Sequence, residues 1–404
     1  MSSRFNKIKE REEKLLCRTY GRYPVAVASG KGSRLYGPDG EEYVDLLAGI
    51  AVTNLGHCNE EIAEVMCEQA RKLVHVSNLF YQEEQLEFAE KLIGTTNGLF
   101  SKVFFCNSGA ESNEAAIKLA RRYTQRVKNR DAGEIITLSN AFHGRTLATV
   151  AATGQAKFQE GFAPIPQGFK QVPFGDAASL EAAITDKTIA VMAEVIQGEA
   201  GVRPMSQEYA KEIQRICRNK GILFIVDEVQ AGMCRSGKFW GFQNYDIQPD
   251  IMTSSKALAN GLPLGAMLTS DEVAQGFVLG SHATTFGGGA LVTSVGAKVV
   301  EIMQRDRLAD RAAEVGAWAR EQFEAIGRRH PGTITEVRGK GLMIGVVLAF
   351  PGKEIWEGLI KKGFICNLTK EVVLRLLPAL TIPKEDISAF ANALEELLAK
   401  RQAA

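Results

Sequence analysis

Residues 221–230 read GILFIVDEVQ, five consecutive apolar residues that close on an aspartate and a glutamate. So short a run, rich in β-branched residues, reads as a strand buried on both faces, as in a parallel sheet covered by helices. Outward from it the same signal recurs at Val103–Cys106, Glu134–Leu138 and Ile189–Val195. Between these runs the chain turns helical. Ala116, Leu119, Ala120 and Tyr123 fall at i, i+3, i+4 and i+7 and form one apolar face. Alternation of this kind from about residue 60 onward predicts an α/β fold whose central sheet is mostly parallel and flanked by helices.

The ends of the chain read differently. Residues 7–17 predict a short helix, and LYGPDG at 35–40 is a turn between two short strands, the second being EEYVDLL. Past residue 290 a long helix runs from about Leu291 towards Ile326 with a break near Asp306. The strand-like segments TITEVRGKG, LMIGVVLAF and VVLRLL follow. A last helix lines Ile387, Phe390, Ala391, Leu394 and Leu398 along one side. At 404 residues one core is not expected to serve the whole chain. The expected division is an N-terminal segment 1–60, a large domain 61–300 and a smaller α+β domain 301–404, to which the N-terminal segment contributes.

Composition narrows the function. The 48 basic and 47 acidic residues nearly cancel, so no field of one sign invites nucleic acid or a membrane surface. No apolar run approaches the roughly 20 residues of a membrane span. The N-terminal MSSRFNKIKEREEKLL is charged and lacks the apolar stretch of a secretory signal. Seven cysteines are scattered without a CxxC pair, and His57, His75, His143, His282 and His330 show no metal-ligand spacing. Reduced, mostly buried thiols, no metal and a cytoplasmic location are the expectations.

In an open parallel sheet, ligands bind beyond the carboxyl ends of the strands. After KVFFC stands Asn107-Ser108-Gly109-Ala110-Glu111-Ser112 and then a helix. Free N–H groups and the positive end of the helix dipole suit a phosphate there, although Ser108 can equally be a plain N-cap. Asp227 ends an apolar strand, where it needs a partner: a neighbouring loop, or a positively charged ring nitrogen. Lys256 ends the polar turn after Pro249-Asp250-Ile251-Met252-Thr253, and ALANG leaves room for a flat ligand. A lone lysine is ordinarily solvated. The ordered set of phosphate cradle, strand-end acid and lysine is what gives Lys256 a catalytic reading. Walker and GxGxxG patterns are missing from the places where an ATP or dinucleotide site needs them.

These segments carry a resemblance. NSGAESNEAAIKLAR, FHGRT, EVIQGEAGV, DEVQAGMCRSG, SSKALANGLPLGA and SHATTFGG together resemble the class III aminotransferases of fold type I. LYGPDGEEYVDLLAGIAVTNLGH and VLRLLPALTI are most similar to the acetylornithine aminotransferase group, and the likeness covers roughly residues 10–400. It implies pyridoxal 5'-phosphate as cofactor and a homodimer with the active site at the interface. Lys256 would then be the lysine that joins the cofactor covalently. Asp227 would pair with the pyridine nitrogen, Val229 and Gln230 would lie against the ring, and Phe142 would stack on its other face. Ser108, Gly109 and Ala110 would hold the phosphate, and Thr285 would reach the phosphate of the partner subunit, with Thr284 beside it near the substrate.

For substrates, the resemblance makes Arg145 the grip on the α-carboxylate of N-acetylornithine and Arg375 the grip on that of glutamate. The same resemblance implies that Glu199 would cover Arg375 until glutamate displaces it. Physical chemistry independently asks for a carboxylate beside Arg375, since it sits inside the apolar run VVLRLL; a structural ion pair answers equally. The implied reaction is a ping-pong transfer of the distal amino group of N-acetylornithine to 2-oxoglutarate, a step of arginine biosynthesis. Ornithine, succinylornithine or succinyldiaminopimelate, and 4-aminobutyrate aminotransferases share the scaffold, and a cofactor-binding protein without chemistry is the reading from another class. Two departures stand out: Val195 where EPIQGE has proline, and FGGGA at 286–290 where FGGNP is usual.

Overall fold

The computed structural model describes residues 3–403. Its seven-stranded sheet runs in the order Lys102–Cys106, Gly265–Thr269, Ile251–Ser254, Leu223–Asp227, Thr188–Ala193, Glu134–Leu138 and Phe169–Val172. The last five strands pair in parallel, and Gly265–Thr269 is antiparallel to both its neighbours. The four strands read from sequence are all present within a residue or two at each end. Phe169–Val172 escaped the reading because FKQV, at the sheet's edge, exposes its two middle residues.

All six residues of Thr188–Ala193 are buried, as are all five of Leu223–Asp227. Each buried Val, Ile or Leu contributes about 1.5–3 kcal/mol over an exposed one, so these central strands supply much of the energy that holds the sheet together. The helix Gly109–Arg122 lies against it, and the predicted face of Ala116, Leu119, Ala120 and Tyr123 is buried.

The two chain ends meet. The N-terminal strands Ser29–Lys31, Arg34–Tyr36 and Glu42–Asp45 share a sheet with Phe364–Ile365, which pairs in parallel with Glu42–Asp45. Arg34 holds Asp386 of the last helix through two hydrogen bonds of 2.6 Å. A second antiparallel sheet joins Ile334–Lys340, Met343–Leu348, Val373–Leu376 and Asn367–Thr369. The long helix breaks where expected, into Ala290–Arg305 and Leu308–Arg329, around Arg307 at φ 51°. Residue 300 therefore lies inside the first of these helices.

One local conformation bears on the site. Ala48, Gly49, Ile50 and Ala51 all take positive φ, at 48°, 65°, 67° and 62°. A β-branched residue seldom tolerates this region, so the turn is held by its surroundings. Asp45 accepts from the N–H groups of Leu47 and Ala48 and is hydrogen-bonded to His57 at 2.7 Å.

Candidate active site

A cavity of about 460 Å³ opens at the carboxyl ends of the central strands, lined by Ser108, Gly109, Ala110, Phe142, Arg145, Asp227, Val229, Gln230 and Lys256. Segments far apart in sequence thus converge because each follows a strand that runs in the common direction of one sheet, so their carboxyl ends lie on the same side.

At one end of the cavity the helix Gly109–Arg122 begins. Ser108 is its N-cap, and the serine hydroxyl accepts from Glu111 N at 3.2 Å. The N–H groups of Gly109 and Ala110 open the helix, where no preceding turn supplies a carbonyl, so they suit an anion. Gly109 is close-packed: a Cβ there would stand 2.7 Å from Val229. Gly144, at φ 136°, passes so near Ala110 and Thr149 that a Cβ would come within 2.8 Å of the one and 2.6 Å of the other.

At the other end lies Asp227, 4% exposed. Its Oδ1 accepts from Val229 N at 3.0 Å, and its Oδ2 accepts from Asn113 Nδ2 and pairs with His143 Nδ1, both at 2.8 Å. Asn113 also donates to His143 O and accepts from Thr253 Oγ1. Burial alone would strip His143 of its proton, but the hydrogen bond and charge of Asp227, with Glu194 behind, reverse this and raise its pKa. Nε2 of His143 is buried without a hydrogen-bond partner. Glu194, which also lines the cavity, accepts from Phe142 N at 3.0 Å, and burial lifts its carboxyl to about 7.

Lys256 projects from the turn after Ile251–Ser254 and has a positive φ of 44°, uncommon for a non-glycine residue. Burial depresses its pKa, and Arg375 pushes the same way, against the opposing charges of Glu199, Asp227 and Glu194. Arg375 and Glu199 line an adjoining cavity of about 580 Å³ together with Ile50, Lys157 and Phe158. Arg375, 2% exposed, donates from Nη1 to Glu199 at 2.5 Å and, weakly, to Gln230 at 3.5 Å. Gln230 therefore bridges the two cavities. Burial pushes Glu199 towards its neutral form, and Arg375 more than reverses that, leaving its pKa lowered. Arg145 is exposed and sits over the Phe158 ring at 4.0 Å and the Phe142 ring at 5.5 Å.

Thr284 accepts from Asn107 Nδ2 at 3.0 Å, beside the anion end. Thr285 is exposed and lines neither cavity. Sequence reasoning passed over Asn113 and Glu194, although signals for both existed. Asn113 is a polar residue three positions before Ala116 on the buried helix face. Glu194 stands just past a strand end, as Asp227 ends its own. His143 lines the cavity as well, held there by its bond to Asp227. Ile50 has no local signal, because its position depends on the left-handed turn.

These features fit pyridoxal phosphate. An anion cradle stands at one end and a buried carboxylate at the other. Phe142 and Val229 offer apolar surface between them, close-packed Gly109 keeps the helix start open, and an amine of lowered pKa faces the same space.

Comparison with known proteins agrees. The sequence profile of the family described as Aminotransferase class-III matches residues 16–398. The acetylornithine aminotransferase of Methanocaldococcus jannaschii is 46% identical over 386 residues, 96% of each chain. That of Caldanaerobacter subterraneus is 40% identical, over 96% of this chain and 98% of its own. Among solved structures, the ornithine aminotransferase of Toxoplasma gondii superposes with a TM-score of 0.95 at 28% identity, covering 100% of this chain and 96% of its own. The acetylornithine aminotransferase of Elizabethkingia anophelis gives 0.88 at 30% identity, over 98% of this chain and 99% of its own. With its family profile matched almost from end to end and relatives above 30% identity over nearly its whole length, this chain belongs to the class-III aminotransferases, which transfer amino groups with pyridoxal phosphate.

Proposed function

We propose that the enzyme moves the distal amino group of N-acetylornithine to 2-oxoglutarate, giving N-acetylglutamate 5-semialdehyde and glutamate. The observation that carries this reading is the pair of cations on the cavity walls. Exposed Arg145 stands over Phe142 and Phe158, while buried Arg375 is covered by Glu199. One site must present the terminal amine-bearing carbon of N-acetylornithine and the α-oxo carbon of 2-oxoglutarate at the same point. Two guanidinium clamps in different places let each substrate bring its own reacting carbon to Lys256. Relatives at 40–46% identity named acetylornithine aminotransferases support the donor.

When bound, pyridoxal phosphate carries the amino group between the two half-reactions and accepts the electrons that a departing proton leaves behind. Lys256 Nζ would hold the cofactor covalently and, as a free amine, would take the proton from the substrate carbon. Burial lowers its pKa, which favours the neutral amine that this proton transfer requires. Asp227, held by Asn113, Val229 N and His143, keeps the pyridine nitrogen protonated. Val229, Gln230 and Phe142 hold the ring, and Ser108, Gly109 and Ala110 hold the phosphate. Arg145 takes the α-carboxylate of N-acetylornithine, with Thr284 near the substrate. Arg375 takes that of glutamate or 2-oxoglutarate after Glu199 withdraws.

A homodimer belongs to the same proposal. Leu79, Phe80 and Tyr81 are 86%, 66% and 104% exposed, Leu279 is 103% and Phe286 is 64%, apolar surface that a second copy would cover. Thr285, free of its own cavity, would then serve the partner's phosphate. A cytoplasmic location also stays a proposal, supported by seven free cysteines and by the absence of any described helix long and apolar enough to cross a membrane. The proposed large domain is residues 61–300, and the smaller one is 301–404 with the N-terminal segment, supported by the pairing of Glu42–Asp45 with Phe364–Ile365.

The test is an assay of N-acetylornithine, ornithine, succinylornithine and 4-aminobutyrate in turn against 2-oxoglutarate. The highest kcat/KM is expected for N-acetylornithine. A clear preference for ornithine, the substrate named for the Toxoplasma gondii structure, would overturn the donor while leaving the class intact.

A further inference from the structure

Arg375 has a second partner that the exchange of Glu199 for substrate does not involve. Nη2 donates to Asn367 Oδ1 at 2.8 Å. Asn367 and Arg375 are registered opposite each other on the antiparallel strands Asn367–Thr369 and Val373–Leu376, so the contact is fixed by the sheet. Asn367 Nδ2 in turn donates to the Tyr23 hydroxyl at 2.7 Å. Tyr23 comes from the N-terminal segment and packs edge-on against Trp356 at 4.9 Å, and Trp356 Nε1 donates to Cys366 O at 3.0 Å. The phenol is therefore anchored through Trp356 to Cys366, the residue that leads into the strand it serves.

Chemistry gives this chain a direction. A guanidinium only donates, so the Asn367 amide must present its oxygen to Arg375 and its NH2 to the phenol oxygen. Arg375 thus fixes which way the amide faces, and Tyr23, accepting from the NH2, braces it there. The neutral amide also leaves the charge of Arg375 uncancelled, which an aspartate in the same place would not. Nε of Arg375 is buried without a partner, so once Glu199 leaves, the contacts that hold this side chain are Asn367 at 2.8 Å and Gln230 at 3.5 Å.

We propose that Asn367, braced by Tyr23, is the positioning residue that presents Arg375 to a carboxylate. It is a fixed, neutral arm opposite the exchangeable, charged arm Glu199, and it sets how tightly the second half-reaction holds its oxo acid. The proposal rests on the reading of Arg375 as the clamp for that substrate.

Single-turnover half-reactions of the holoenzyme test it, with Asn367→Asp, Tyr23→Phe and Arg375→Ala compared with wild type. Asn367→Asp supplies a permanent counter-charge, and its half-saturating 2-oxoglutarate concentration is expected to rise about tenfold or more, with the saturating rate within about threefold of wild type. Tyr23→Phe removes one hydroxyl and keeps the ring on Trp356; the same constant is expected to rise about threefold, again without a matching fall in saturating rate. The N-acetylornithine half-reaction should move much less in both. If both variants bind 2-oxoglutarate like wild type while Arg375→Ala does not, the positioning role is overturned and the clamp stands. If Arg375→Ala also leaves 2-oxoglutarate binding unchanged, the clamp itself is wrong and the proposal falls with it. Equal losses in both half-reactions would show a general structural defect and overturn it too. Should Asn367→Asp fail to fold, Tyr23→Phe decides alone.

Discussion

Asp227→Asn is the substitution that most severely tests how the acid end of the cavity works. Three donors face this carboxylate: Val229 N, Asn113 Nδ2 and His143 Nδ1. An amide has one acceptor oxygen. Its NH2 must therefore turn towards at least one donor, unless His143 gives up its Nδ1 proton and accepts instead. Burial is the largest influence on His143 and opposes its charge, so without Asp227 the imidazole is expected to become neutral and to drop below its ordinary pKa. In wild type the raised pKa gives stability that is full below the ordinary histidine value and is lost as pH rises through the raised one; the variant should lack that component. The catalytic cost is larger. Losing a buried carboxylate paired with a cationic ring nitrogen removes about 3–5 kcal/mol, or roughly 10²–10⁴-fold in rate. Single-turnover reaction with N-acetylornithine reads the rate, and the His143 imidazole resonance followed against pH reads the proton. A variant within about tenfold of wild-type rate, or one whose His143 titrates unchanged, would refute the reasoning.

Other substitutions address the remaining parts. Lys256→Ala should abolish turnover while circular dichroism and thermal unfolding stay near wild type; more than a few per cent of residual turnover would contradict its role. Arg145→Ala should raise KM for N-acetylornithine about tenfold or more and spare the glutamate half-reaction, and equal losses in both would refute that division. Glu228 is buried and accepts from Gly241 N at 2.8 Å and Phe242 N at 2.6 Å; burial lifts its carboxyl to about 8. A raised carboxyl pKa means that the folded chain holds the proton more tightly, so its contribution is fullest below the ordinary value and is lost as pH climbs to about 8. Urea unfolding of wild type and Glu228→Gln should show wild type losing relative stability steadily from acid to pH 8, and a constant difference would contradict this.

The sequence was most legible where one segment carries its own signal. GILFIV ends on Asp227 because a strand buried on both faces leaves its first polar residue at the carboxyl end, and the same rule found Ser108 and Lys256. The helix break at Arg307 was foreseeable from the polar stretch around Asp306. What escaped depends on tertiary structure. Asn367 faces Arg375 through strand register, Tyr23 arrives from more than 300 residues earlier in the chain, and Ile50 reaches the second cavity through a left-handed turn. None of the three carries a local pattern. Glu194 was legible in principle, since it stands just beyond Thr188–Ala193, but as the first residue of a recognised motif it was read only as part of that motif.

The most direct measurement is the visible absorption of the cofactor-loaded protein during addition of N-acetylornithine without any oxo acid, followed by 2-oxoglutarate. In wild type the cofactor band is expected to be lost with the donor and restored by the acceptor, and Lys256→Ala is expected to lack the resting band. A wild-type band that ignores N-acetylornithine but responds to ornithine or 4-aminobutyrate would contradict the donor, and the absence of any band after adding cofactor would contradict the role of Lys256.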